Sequence, residues 1–158
     1  MGLGPKERPI HNSILQFLSY KRDSLVKEIR STGVPIRQLD GRYKMITSES
    51  RFSVKYMSDI SFLWRGDQFY FEVKRPDRAT ISFLHKIDAD RSLLMRWANK
   101  KRTCVKKRMA NQYLFIEDSI RAGAWGGFVY SVAQVERILE KRPTEISIPD
   151  IPAIRQDK

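Results

Sequence analysis

An α/β fold with a mixed central sheet flanked by helices is predicted for this 158-residue chain by three observations. Helical periodicity opens the sequence, a run of alternating apolar strands follows, and a helix, a short buried strand and a closing helix complete it. A chain of this length forms a single domain burying roughly 70% of its unfolded-state surface, so it needs no covalent or metal staple. Its single cysteine, Cys104, can form neither an intrachain disulfide nor a Cys-rich zinc site. That points to an intracellular setting and makes Cys104 a small packing residue.

Met1 to Lys6 reads as a short flexible leader. Ile10 to Ile29 follows as a helix, with Ile14, Leu15, Phe17, Leu18, Leu25 and Val26 as its apolar positions and a break expected near Asp23-Ser24. Thr32-Gly33-Val34-Pro35 ends it. From Ile36 to Lys55 short strands are predicted around the turn signals Asp40-Gly41 and Ser48-Glu49-Ser50. Met57 to Lys74 then reads as two apolar strands joined by a Gly66-Asp67 turn. Gln112 to Ala122 is a second helix and Phe128 to Tyr130 a buried strand. Ser131 with Gln134 forms a capping box for the helix Val132 to Lys141. The tail 142–158, with Pro143, Pro149 and Pro152, is extended or bound to a partner. The core thus comprises residues 7–76 and 112–141, interrupted by an insertion at 77–111.

The hairpin carries the chemistry. With a two-residue loop at Gly66 and Asp67, Arg65 pairs with Gln68, Asp59 stands opposite Lys74, and Ser61 opposite Glu72. Strand side chains alternate with period 2, so Asp59, Ser61, Glu72 and Lys74 share one face. Opposed side chains lie roughly 5 Å apart and diagonal ones roughly 7 Å, close enough for Asp59 and Glu72 to share a cation beside Lys74. Mg²⁺ or Mn²⁺ suits one or two carboxylates completed by water and substrate phosphate. Such an ion lowers the pKa of bound water and offsets phosphate charge, while a nearby ammonium orients the water or neutralises the leaving oxygen. A Glu-X-Lys strand is also a common surface ion pair. Here, though, the charges interrupt strands of Ile, Phe, Leu, Trp, Tyr and Val, where charge is costly unless paired or bound to metal.

The same residues resemble the VRR-NUC family of PD-(D/E)XK nucleases. The likeness runs through Glu7 ahead of Ile10 and Ile14, Ser58-Asp59-Ile60, Glu72-Val73-Lys74-Arg75-Pro76, Gln112 before Phe115 and Ile116, and the Gly-rich strand Ala122 to Tyr130. It covers most of residues 7–140 outside the insertion and implies a restriction-endonuclease-like core. By resemblance, Asp59, Glu72 and the backbone carbonyl of Val73 bind the metal, Lys74 is catalytic, and Glu7 and Gln112 complete the site. Ser58 and Met57 replace a frequent Pro and Gly, and neither side chain performs chemistry. Pro9 suits a helix's first turn, which leaves Glu7 at or just outside the helix start. His11, four residues after Glu7, shares its face; a solitary His near a helix start is more often solvated or capping than catalytic.

Compact relatives have only a short loop where this chain has residues 77–111. Phe83, Leu84, Ile87, Leu93, Leu94, Trp97, Val105 and Met109 recur at helical spacing, which makes the insertion helical and partly packed, with Trp97 an ordinary core residue on the bland reading. Arg96, Lys100, Lys101, Arg102, Lys106, Lys107 and Arg108 follow with no acid among them, and with Arg75 they form a DNA-backbone clamp. Over the chain, 30 Lys and Arg against 18 Asp and Glu give a formal charge of +12, a footprint of a nucleic-acid partner. A membrane is the competing polyanion, disfavoured because no apolar run reaches transmembrane length.

The expected function is a Mg²⁺- or Mn²⁺-dependent endodeoxyribonuclease. Stand-alone relatives of this size look like Holliday-junction resolvases, so the resemblance implies branched DNA as substrate and a homodimer. Competing readings are a nickase or general nuclease, serving phage DNA replication or packaging, and a non-catalytic nucleic-acid-binding module on the same fold. Backbone contacts alone do not discriminate DNA from RNA.

Overall fold

The computed structural model describes residues 7–29, 34–37, 39–46 and 58–153. Helix α1 spans Glu7–Ser19 and buries Ile10, His11, Ile14 and Leu18, one face at helical spacing. Pro9 sits inside its first turn, and Glu7 is its first residue. The helix ends well before Ile29. Asp23 adopts a left-handed conformation (φ 57°), and Ser24–Glu28 forms strand β1. Leu25 is exposed and Val26 half-buried, the alternation of a strand whose successive side chains take opposite faces. The break expected at Asp23-Ser24 is therefore a change of element.

Strands β2 (Val34–Arg37) and β3 (Tyr43–Ile46) form an antiparallel hairpin apart from the main sheet. It turns at Asp40-Gly41 as expected: Gly41 has φ 83°, and Asp40 Oδ1 accepts from the Arg42 N–H at 2.9 Å. The expected leader, the Thr32-Gly33 helix stop, the Ser48-Glu49-Ser50 turn and the strand residues Arg51 to Met57 lie outside the described residues.

Strands β4 (Ile60–Trp64) and β5 (Asp67–Val73) pair antiparallel, with Trp64 opposite Asp67 and Ile60 opposite Phe71. The turn is therefore Arg65-Gly66, one residue earlier than the Gly66-Asp67 turn expected. Both central residues have positive φ, 49° and 84°, as the tight hairpin that follows strand twist requires. Glycine marks the turn but does not say which of its neighbours joins it. The pairing shifts by two residues, and a shift of two keeps every side chain on its expected face.

Strand β6 (Trp125–Val129) joins β5 in parallel, giving the order β1-β4-β5-β6. A parallel neighbour needs a long crossover. Residues 78–121 supply it as α2 (Arg78–Ala89), α3 (Arg91–Ala98) and α4 (Val105–Arg121). The insertion is helical and packed, as expected, but its boundary at residue 112 falls inside α4. The helix begins seven residues before Gln112, because Met109, Ala110, Tyr113 and Ile116 make one continuous buried stripe.

The sheet separates two cores. Ile60, Phe62, Phe69, Phe71 and Val73 face α1 and the closing helix α5 (Val132–Lys141), meeting Ile14, Leu18, Val135 and Ile138. On the other side Phe128 meets Leu84, Ile87, Leu94 and Ile116 of the crossover helices. Ser131 caps α5, its Oγ accepting from the Gln134 N–H at 3.3 Å while Gln134 Oε1 accepts from the Tyr130 N–H at 2.7 Å. Ser131→Ala is expected to lower stability by about 1 kcal/mol in urea denaturation, with an unchanged slope.

The described part of the tail, residues 142–153, lies against the protein itself. Ser147 bridges the outer edge of β6: its carbonyl accepts from the Phe128 N–H at 2.9 Å, and its N–H donates to the Gly126 carbonyl at 3.3 Å. His85 Nε2 donates to the Pro149 carbonyl at 2.8 Å and Tyr130 Oη to that of Asp150 at 3.3 Å. An edge strand that would otherwise present unpaired backbone groups is thereby covered.

Candidate functional site

Asp59 precedes β4, Glu72 lies near the end of β5 and Lys74 follows it. Carried one residue beyond the Ile60–Phe71 pair, the observed register sets Asp59 opposite Glu72, not opposite Lys74. The group sits at the ends of two central strands. Central strands suit it, since packing on both sides holds their ends in place.

Glu72 is buried, with 1% of its surface exposed. Its Oε2 accepts from the Asp59 N–H at 3.1 Å; its Oε1 accepts from Lys74 Nζ at 3.0 Å and Gln112 Nε2 at 2.6 Å. Gln112 Oε1 in turn accepts from Lys74 Nζ at 3.0 Å. Asp59 Oδ2 accepts from the Val73 N–H at 2.9 Å, so the Val73 peptide borders the Asp59 carboxylate. Two acids, one ammonium and one amide thus close into a single network. The sheet fixes it through the backbone: the Asp59 carbonyl accepts from Ile29 N–H at 2.7 Å, and Lys74 N–H donates to the Val129 carbonyl at 2.9 Å.

Burial pushes the Glu72 carboxyl up to about 8; the Lys74 ammonium opposes this and the Asp59 carboxylate adds to it. Ionising Glu72 here is costly, and a nearby divalent cation would favour its charged form. Among the described residues no group of three or more His, Cys, Asp or Glu is placed to hold a metal. The Asp59 and Glu72 carboxylates nevertheless supply hard oxygen ligands of the kind Mg²⁺ takes when water and phosphate complete its shell. No protein-family model, curated protein or solved structure matches the chain.

Gln112 joins the network from the middle of α4, not from a helix start, because α4 lies across β5 and β6. Glu7 does not join it. It is exposed at the start of α1, and α1 packs on the sheet face opposite Glu72, so the helix delivers Glu7 to this end of the sheet without a bond to the cluster. His11 is neither solvated nor capping. It is buried, with Nε2 lacking a hydrogen-bond partner and lying 3.6 Å from Glu28 Oε1. Sequence spacing gave no sign of Glu28, which reaches α1 only through the β1 pairing.

Beside the network, part of the sheet surface is exposed among the described residues. Leu25 of β1 and Leu63 of β4 stand opposite each other and are exposed, and Lys27 is exposed next to them. Arg75 is half-buried just beyond Lys74. A groove of about 610 Å³ lies elsewhere, between α5 and the tail, lined by Tyr130, Gln134, Arg137 and Lys141, and it includes none of the network residues. Arg96, Lys100, Lys101, Arg102, Lys106 and Arg108 are exposed around the ends of α3 and α4, and Lys107 is half-buried. Trp97, a core residue only on the bland reading, is partly buried. It packs edge-on against Phe83, with ring centroids 6.0 Å apart.

Proposed function

We propose that this protein is a metal-dependent endodeoxyribonuclease with a restriction-endonuclease-like core of the PD-(D/E)XK type. The observation that carries the reading is the convergence of Asp59, Glu72, Lys74 and Gln112 at the ends of β4 and β5. The element order supports it: a leading helix, three antiparallel strands, a crossover helix bearing the glutamine, a parallel Gly-containing strand and a closing helix.

Asp59, Glu72 and the Val73 carbonyl would hold Mg²⁺ or Mn²⁺, which when bound lowers the pKa of a coordinated water and offsets phosphate charge. Lys74 presents its ammonium to the attacking water or to the departing oxygen. Gln112 fixes both Lys74 and Glu72, so the ammonium is placed before substrate arrives. The exposed Leu25, Lys27 and Leu63 on β1 and β4 would offer a nucleic-acid strand a surface beside the site. In keeping with the family resemblance, branched DNA is the substrate and a homodimer the acting form, since two sites are needed to cut opposed strands. The chain's charge of +12 supplies backbone attraction. No described helix is long and apolar enough to cross a membrane.

The test is cleavage of labelled four-way, flap, nicked, linear and single-stranded substrates by the protein and its Asp59→Asn variant, with and without magnesium. Cutting of the four-way substrate by the unaltered protein alone, dependent on the metal, is expected. Equal cutting of every substrate would replace the branched-DNA reading with a general nuclease. In calcium buffer, Asp59→Asn should still bind DNA within about threefold of the unaltered protein, because backbone charge carries affinity. A second reading, a binding module without catalysis, is favoured by the full engagement of Glu72 Oε1 with Lys74 and Gln112; binding without cutting under every metal would select it. Neutralising Lys100, Lys101, Lys106 and Lys107 should lower the slope of log affinity against log salt by about one per lost phosphate contact.

A further inference from the structure

We infer that the turn between α3 and α4 is a docking site for single-stranded nucleic acid, in which Trp97 stacks on a base while Lys100 and Lys106 hold the flanking phosphates. The inference rests on the nucleic-acid part of the proposed function and is independent of whether the carboxylate network cuts.

Three observations carry it. Lys100 Nζ lies 4.0 Å from the centre of the Trp97 ring and Lys106 Nζ 5.0 Å from it, so two ammonium groups crowd one indole. An aromatic face attracts a cation, but it does not neutralise one. Second, Arg96, Lys100, Lys101, Arg102, Lys106 and Arg108 have no carboxylate within ion-pair distance among the described residues. Arginines elsewhere on the same helices are paired: Arg91 and Arg121 both meet Glu117, at 2.5 and 3.0 Å. On these two helices the unpaired basic residues thus cluster at the turn that joins them.

Third, the positive charges crowd the wrong end of a helix for stability. Lys106, Lys107 and Arg108 occupy the first turn of the 17-residue α4, where the helix dipole is already positive and no acid offsets it. The cap there is Cys104, whose Sγ accepts from the Lys107 N–H at 3.4 Å, a weaker acceptor than the oxygens usual at this position. Repulsion tolerated here is relieved when an anion binds, and conflict between local rules and fold is expected at sites of function.

Phosphate alone would need no aromatic ring, and a duplex keeps its base faces stacked inside. A single strand offers both a phosphate and a free base face, matching lysines arranged about an indole. Lys100 is exposed, so its ammonium can leave the ring for a phosphate as a base takes its place.

The experiment measures binding of fluorescent single-stranded and duplex oligonucleotides in calcium buffer by the full chain and by Trp97→Leu, Trp97→Phe and the double variant Lys100→Gln/Lys106→Gln. It is paired with photocrosslinking of a bromouracil-containing single strand to the unaltered protein, mapped by mass spectrometry. Trp97→Leu should weaken single-strand binding about tenfold or more and change duplex binding less than about twofold, Trp97→Phe should keep most of the affinity, and the crosslink should fall on Trp97. The double lysine variant should weaken both ligands. Unchanged single-strand affinity in Trp97→Leu, or a crosslink mapping away from Trp97, overturns the proposal. Circular dichroism reports folding; if Trp97→Leu does not fold, Trp97→Phe and the crosslink on the unaltered protein decide. Failure to bind either ligand overturns this proposal together with the nucleic-acid reading. Intact Trp97-dependent binding without magnesium-dependent cutting overturns only the nuclease reading.

Discussion

Glu72→Gln should abolish magnesium-dependent cleavage, a loss of about 10³-fold or more, while removing a pH dependence from the stability of the metal-free protein. Both effects come from one buried carboxyl held between Lys74, Gln112 and the Asp59 N–H. Its proton affinity in the folded chain exceeds the ordinary value of 4.5 and reaches about 8. Below 4.5 the group is protonated folded and unfolded, and it favours neither state. As pH rises from there the unfolded chain releases the proton first, so folding is increasingly disfavoured until about 8, above which the penalty is constant. In EDTA, the unfolding free energy of the unaltered protein should therefore fall between pH 5 and 8 by on the order of a few kcal/mol, lowering its melting temperature, and Glu72→Gln should lack this fall. Millimolar magnesium at pH 8 should raise the melting temperature of the unaltered protein and leave that of the variant in place. A magnesium response that survives the substitution would remove Glu72 from the metal site, whatever happens to cleavage.

Gly126→Ala and Gly127→Ala should each cost about 3 kcal/mol or more, enough to leave little folded protein. A methyl group on Gly126 would overlap the Tyr70 carbonyl in the neighbouring strand, and one on Gly127 would overlap the Ser147 carbonyl of the tail. Both obstacles are hydrogen-bonded backbone, which cannot rotate away as a side chain would. Gly123 provides the contrast. It has open space around it but φ of 100°, so Gly123→Ala should cost only about 1 kcal/mol, from conformational strain. Urea denaturation of the three variants separates these causes, and Gly126→Ala as mild as Gly123→Ala would contradict the close approach of β6 to β5.

Much of this site was legible because its charges stand out. Asp59, Glu72 and Lys74 interrupt apolar strands at even spacing, and period-2 alternation puts them on one face whichever of two neighbouring turns closes the hairpin. The placement of Gln112 was harder to read. Its approach to Glu72 depends on α4 beginning at Val105 and crossing β5, a distance in sequence of 40 residues that no local pattern spans. Glu7 shows the converse: it begins the expected helix, yet that helix packs on the other side of the sheet. Ile10 to Ile29 divided into helix and strand because Leu25 and Val26 gain backbone partners only when β4 is beside them. How much of Trp97 stays exposed depends on which helices cover it, and spacing within one helix does not say.

The sequence alone determined the class of fold, the closing helix with its Ser131 cap, the basic turn and the trio at 59, 72 and 74, because each follows from local periodicity or from charge set against apolar surroundings. The tertiary structure alone decided that Asp59 faces Glu72, that Gln112 completes the network, that Glu7 stands outside it and that the tail covers the edge of β6. Those contacts join residues far apart in the chain. They are fixed by which faces bury apolar surface and which backbone groups must find partners, and both are properties of the packed molecule rather than of any one segment.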